Sequence, residues 1–305
     1  MKLLYHETGF FTSYLQGKAW YAIIFLTAWQ KYEVHTMKKY RFGVIGAGNM
    51  GMAIAEGAVR AGLFERGEML LFNRSEDKRA EKRKLGYAVT GDYTEVYTAC
   101  ETVLLAVKPQ NFSEILPVLG ACDGEKPLVV SIAAGVTFSK IEQALGGDTP
   151  VIRVMPNTPL MLGVGATELV KNAAATDAQL QQVRALFDTM GITVVFDRED
   201  MLNEVIPYAG SAPAYLYAFA DAMVKSAVQH GIDAQDALHL FCQTMIGSAQ
   251  MLLRGDKTPE ELIKAVCSPG GTTLAAMEVL QRRDLYGMLA EASDKCIARA
   301  YELGK

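Results

Sequence analysis

The chain has 305 residues with 30 Lys+Arg against 34 Asp+Glu, a net charge of −4; half of the residues are hydrophobic and 21% are charged. This supports a full hydrophobic core, suggests two domains at this length, and excludes intrinsic disorder. Without a Lys/Arg-rich block, neither a nucleic-acid partner nor a polybasic membrane contact is expected.

The five cysteines, Cys100, Cys122, Cys242, Cys267 and Cys296, are scattered and form no CxxC pair. That pattern fits a reducing compartment, with the cytoplasm as the expected location, rather than a disulfide framework or a metal site. Of the four histidines, His6 and His35 lie in an atypical N-terminal stretch, which leaves His230 and His239 for histidine chemistry. Both sit in helical patterns with apolar neighbours and read as surface or packing residues.

Residues 1–36 hold both tryptophans, Trp20 and Trp29, and nine aromatics in all. The apolar run Ala19 to Trp29 is shorter than the roughly 20 residues a membrane span needs, and no small-residue cleavage pattern follows it. The stretch reads as an extension, from an upstream start or as an interfacial helix, and Met37 as the natural start of the folded protein.

From Tyr40 the pattern alternates short apolar runs with helical segments. Strands are predicted at Arg41 to Ile45, Met69 to Phe72, Thr102 to Val107, Leu128 to Ile132 and Val151 to Met155. Helices are predicted between them, as at Met50 to Ala61 and Ser75 to Leu85. Nearly unbroken apolar strands separated by helices predict a doubly wound α/β domain, a parallel sheet covered on both faces, over residues 37–199. Gly165 to Leu169, a helix over Asp177 to Met190, and Ile192 to Phe196 extend that sheet.

Within this domain the loops leaving the strands matter most, because ligands of open parallel sheets sit beyond the strands' carboxyl ends. The first strand runs into Gly46, Ala47, Gly48, Asn49, Met50 and Gly51, a complete G-x-G-x-x-G between strand and helix. The first glycine permits the tight turn, the second the approach of a pyrophosphate, and the third close helix packing, with helix N–H groups facing the phosphates. The second strand ends in Asn73, Arg74 and Ser75. No carboxylate is there to receive a 2′-hydroxyl; a guanidinium and two short polar side chains suit a 2′-phosphate, so NADP(H) is favoured and NAD(H) is the alternative.

Ala106, Val107, Lys108 and Pro109 close the next strand, with Lys108 read either as a phosphate or ribose contact or as a solvated loop lysine. Ser131 to Gly135 is rich in small residues, and Ala133 and Ala134 leave room for a flat nicotinamide or simply for a packed helix. Pro156 and Pro159 bracket Asn157 and Thr158 in a stiff loop, suited to positioning a carboxamide or serving only as a turn.

After Asp200 strand signals vanish, and residues 200–305 read as helical. Asp233 is placed to cap a helix that ends at Arg254 before Gly255, and Thr258-Pro-Glu-Glu261 combines a capping box with proline at the first helical position. Further helices are predicted after Thr273 and over Asp284 to Tyr301. Broad apolar faces, with Leu216, Phe219 and Met223 on one helix and Leu238, Phe241 and Leu252 on the next, exceed what about 105 residues bury alone, so a partner subunit is expected. Ser268, Pro269, Gly270, Gly271, Thr272 and Thr273 interrupt two helices. Two readings fit: a carboxylate pocket of backbone N–H groups and hydroxyls, or a plain helix connection with threonine as cap.

Six segments in order, Gly46 to Gly51, Ala106 to Pro109, Ser131 to Gly135, Val154 to Pro159, Gly210 to Tyr215 and Ser268 to Thr273, resemble the pyrroline-5-carboxylate reductases over about Lys38 to Lys305. The chain departs from that pattern at Ala212, where the family often has glycine, and at Asp92-Tyr93-Thr94, where it often has a cofactor-contacting asparagine. The resemblance implies NAD(P)H-dependent reduction of the cyclic imine 1-pyrroline-5-carboxylate to L-proline by an interlocked helical dimer, often assembled further. It implies that Gly46 to Gly51 hold the pyrophosphate and Asn73 to Ser75 the 2′-phosphate. Ala106 to Pro109, Ala133, Ala134 and Asn157 would lie on the ribose and nicotinamide side. Ser268, Gly270, Gly271 and Thr272 would hold the substrate carboxylate, and Thr273 would act at the ring nitrogen.

An imine takes its activating proton from water, so this chemistry needs position more than a histidine base, and position alone contributes about 7 kcal/mol or more. Two alternatives remain: a β-hydroxyacid dehydrogenase, which needs a proton-handling group such as a lysine in the cleft, and an NADPH-sensing protein without turnover.

Overall fold

The computed structural model describes residues 38–304. The expected extension, with Trp20, Trp29, His6 and His35, and the reading of Met37 as start, lie outside them. The chain divides into two compact units, one running to Val205 and taking in the chain end from Ala300, the other Ile206–Arg299.

The first unit is built on eight strands: β1 Tyr40–Ile45, β2 Met69–Phe72, β3 Ala88–Thr90, β4 Cys100–Leu105, β5 Leu128–Ser131, β6 Val151–Pro156, β7 Gly165–Lys171 and β8 Gly191–Val195. They form one sheet in the order β3-β2-β1-β4-β5-β6-β7-β8. The helices between them are α1 Asn49–Arg60, α2 Glu76–Lys84, α3 Tyr93–Ala99, α4 Phe112–Gly120, α5 Phe138–Leu145 and α6 Asp177–Asp188, with a short α7 Met201–Glu204 at the end.

Strand periodicity divides the core into two. Along β1, Phe42 and Val44 enter one cluster with Ile54 and Ala58 of α1 and Leu186 and Phe187 of α6. Ile45 enters the other with Val96 of α3, Phe112 and Leu119 of α4, and Ile141 of α5. Burial of each such side chain contributes about 2 kcal/mol, which accounts for strands that read as unbroken apolar runs.

The parallel sheet is confirmed through β6, and one pairing corrects the expectation: β7 runs antiparallel to β6, with Val154 opposite Leu169. Only residues 157–164 join them, and a parallel return requires a crossover of about a dozen residues. β3 and α3 went unread because a three-residue, half-buried strand is too short to display a period.

The second unit is helical: α8 Ala212–Gln229, α9 Ala234–Arg254, α10 Pro259–Val266, α11 Thr272–Arg282 and most of α12 Leu285–Gly304. Asp233 caps α9 by accepting from the N–H groups of Gln235 and Asp236, and Gly255 closes it at φ 73°. Thr258 and Glu261 form the expected capping box of α10. Phe219 and Phe241 stack at 6.1 Å between α8 and α9, while Leu216, Leu240 and Leu253 stay largely exposed on the single chain.

Candidate active site

In the first unit the G-x-G-x-x-G loop has the backbone its spacing demands. Gly46 takes φ +103°, and a Cβ there would fall 2.7 Å from the Ala106 carbonyl carbon; one on Gly51 would fall 2.6 Å from Gly46 O. Position 48 is different: nothing lies within 4 Å of where a Cβ would stand. Gly48 is the N-cap of α1 and has no side chain to cap it, so the first N–H groups of the helix lack a side-chain acceptor, and a helix start of this kind favours an anion.

Beside this cradle, the Asn73 Oδ1 is buried with no hydrogen-bond partner, while its Nδ2 lies 3.5 Å from Ala47 O. An orphaned buried acceptor of this kind is costly unless a ligand donor satisfies it. Ser75 is the N-cap of α2, yet its hydroxyl makes no capping bond. Open cradle, orphaned amide and uncommitted hydroxyl fit the phosphates and ribose of a dinucleotide.

Arg74 is exposed, and its Nη2 lies 3.1 Å from both carboxylate oxygens of Glu114. Arg79 was missed in the sequence. Its Nη1 donates to the carbonyls of Asn73 at 2.6 Å and Arg74 at 2.8 Å, and its Nε to Glu76 at 2.8 Å. The available signal was a Glu76/Arg79 pair at helical i,i+3 spacing immediately after the loop.

The other strand-end loops divide. Lys108 is exposed before a 3₁₀ turn, Pro109–Asn111. Ala106 donates its N–H to Ile45 O, continuing the ladder. Ala133 is buried, and its N–H lies 3.5 Å from Ser131 Oγ. Asn157 braces the fold, since its Oδ1 accepts from Ala166 N at 3.0 Å and so ties the start of β7 back to the end of β6. Asp92, at the family's usual asparagine position, caps α3 through the N–H and hydroxyl of Thr94. Those bonds hold its carboxyl below the ordinary value.

In the second unit, Gly270 sits at φ +70°, and Gly271, rather than a threonine, is the N-cap of α11, with no side-chain capping bond. Thr272 and Thr273 are therefore the first two helical residues, after a cap that offers no side-chain acceptor, with Ser268 three residues before that cap. Gly271 N donates to Ser268 O at 3.0 Å, which closes it. Of the histidines, His230 bonds the Ser226 carbonyl at 2.8 Å and His239 is exposed. Lys225 of α8 is paired with Asp221. Burial pushes the Cys100 thiol up to about 12, so it is no nucleophile at neutral pH.

A doubly wound sheet with a glycine-rich strand-to-helix loop, followed by a helical unit, is the architecture of a nicotinamide-dependent oxidoreductase. Residues 199–303 match the family model described as pyrroline-5-carboxylate reductase dimerisation, and residues 41–135 match one described as NADP oxidoreductase coenzyme F420-dependent. The chain is 35% identical over 266 residues to the pyrroline-5-carboxylate reductase of Escherichia coli (strain K12), covering 87% of this chain and 98% of that one. It is 37% identical over 248 residues to pyrroline-5-carboxylate reductase 2 of Bacillus subtilis (strain 168), covering 80% and 87%. The solved structure of a pyrroline-5-carboxylate reductase from Coxiella burnetii matches with a TM-score of 0.80 at 32% identity, over 88% of this chain and 100% of that one. The chain belongs to the pyrroline-5-carboxylate reductase family.

Proposed function

We infer that this chain reduces 1-pyrroline-5-carboxylate to L-proline with NADPH. The observation that carries the reading is the start of α11. The N-cap of α11 is Gly271, so the first N–H groups have no side-chain acceptor; Ser268 Oγ packs against that glycine and Thr272 and Thr273 follow it, residue types that supply the donors a small carboxylate with an adjacent ring nitrogen requires.

On this reading Gly46, Ala47, Gly48, Asn49, Met50 and Gly51 hold the pyrophosphate. Asn73, Arg74 and Ser75 take the 2′-phosphate, and Ala106 to Pro109 with Ala133, Ala134 and Asn157 line the ribose and nicotinamide side. The cofactor, when bound, supplies the hydride. Ser268, Gly270, Gly271 and Thr272 fix the substrate carboxylate, and the Thr273 hydroxyl orients the ring nitrogen, whose proton comes from solvent. Residues 37–199 thus carry the cofactor and 200–305 the substrate loop and the subunit contact.

The thiols are all free among the described residues, which supports a reducing, cytoplasmic setting. No helix among them is long and apolar enough to cross a membrane, and the charge balance supports a small-molecule partner rather than a nucleic acid.

The test is a steady-state assay of the purified protein with each nicotinamide. NADPH oxidation that depends on added pyrroline-5-carboxylate is expected. Turnover of a β-hydroxy acid in its place, or tight NADPH binding without turnover, would overturn the reading.

A further inference from the structure

The Arg74–Glu114 ion pair stands in an unusual place. Arg74 follows β2 and Glu114 lies in the first turn of α4, which follows β4, while β1 runs between those two strands. The pair therefore links the segments that follow β2 and β4 on either side of β1, at the strands' carboxyl ends, where the chain connections leave β1 and β4 in opposite directions and sheets of this kind bind dinucleotides. Both side chains are about 60% exposed, 63% for Arg74 and 62% for Glu114, so water screens the pair and it exchanges readily. The Arg74 main chain does not share that freedom, because Arg79 grips its carbonyl.

We propose that Glu114 tempers the preference of this chain for NADP(H) by competing with the 2′-phosphate for Arg74. The proposal rests on the assignment of Arg74 to that phosphate. Binding of NADP(H) must withdraw the guanidinium from a carboxylate, and leaves that carboxylate uncompensated beside an anion. NAD(H) has no 2′-phosphate with which to recruit Arg74, and can bind while the pair stays closed. Glu114 thus taxes the phosphorylated cofactor selectively and narrows the gap between the two nicotinamides.

The experiment measures the Kd of NADP⁺ and NAD⁺ by titration calorimetry for the parent, Arg74→Ala, Glu114→Gln and the double variant. Exposed ion pairs of this type have small coupling, so Glu114→Gln is expected to tighten NADP⁺ two- to fivefold, roughly the range such pairs span. NAD⁺ should shift by less than half as much. In the Arg74→Ala background the effect on NADP⁺ should largely vanish.

If Arg74→Ala leaves the ratio of the two Kd values unchanged, the phosphate assignment and this proposal fall together. If Arg74→Ala collapses the ratio while Glu114→Gln does not move it, or if the two changes are additive, Glu114 has no role and the phosphate assignment stands.

Discussion

Thr273, proposed at the imine nitrogen, and Glu168, buried on β7, allow function and folding to be probed separately. Thr273 is the second residue of α11 and half-buried, so its hydroxyl can be removed without opening a core. Thr273→Ala is expected to lower kcat/KM for the imine by about tenfold or more, the range of a hydrogen bond to a charged group. The Kd of NADPH should be almost unmoved. An unchanged kcat/KM would remove the residue from the mechanism.

Glu168, on β7, is only 3% exposed, its Oε2 has no partner, and burial pushes its carboxyl from 4.5 up to about 7. The folded state therefore holds this proton more tightly than the unfolded chain. Stability from the protonated group is full below about pH 4.5 and is lost as the pH climbs through about 7, a total of about 3 kcal/mol. Glu168→Gln should flatten the urea midpoint over that window and leave the variant more stable than the parent at pH 8, though not at pH 5. Parallel pH profiles would show that the buried carboxyl is not the source.

Among the elements, helix ends were the most legible parts of the sequence, because a cap is a local event: Asp233, Gly255 and Thr258 each act within one turn of chain. The turn before α11 was legible in kind but not in detail, since spacing cannot tell a threonine cap from a glycine cap. Gly270 tests that turn. Nothing lies within 4 Å of its absent Cβ, so Gly270→Ala meets only the backbone cost of φ +70°, about 1–2 kcal/mol. We expect a modest loss of thermal stability with a raised KM for the imine and an unchanged Kd for NADPH. An equal weakening of both ligands would contradict the separate roles of the two loops.

At the scale of the whole molecule, the helical unit cannot close its own core. Only Pro213, Ala220 and Ala237 are buried along α8 and α9, and the face carrying Leu216, Phe219 and Leu240 is exposed on a single chain. A match to a dimerisation family over 199–303 fits that surplus, which a second subunit would cover. Phe219→Glu, which places a charge on this face, is expected to convert the oligomer to a monomer in size-exclusion chromatography with light scattering, with a marked fall in melting temperature. An unaltered assembly would move the contact to other helices.

The amino-acid sequence by itself determined the alternating strands and helices, the glycine-rich turn, the capped helices and the apolar surplus, all of which follow from neighbours within a few residues or from periodicity along one element. Tertiary structure alone decided that Glu114 reaches Arg74 from the far side of β1 and that Ile45 of β1 packs with Phe112 of α4 and Ile141 of α5. Those are meetings of residues 40 or more positions apart, made by the order of strands in the sheet. Strand order depends on how helices pack over both faces, which no local pattern of residues encodes.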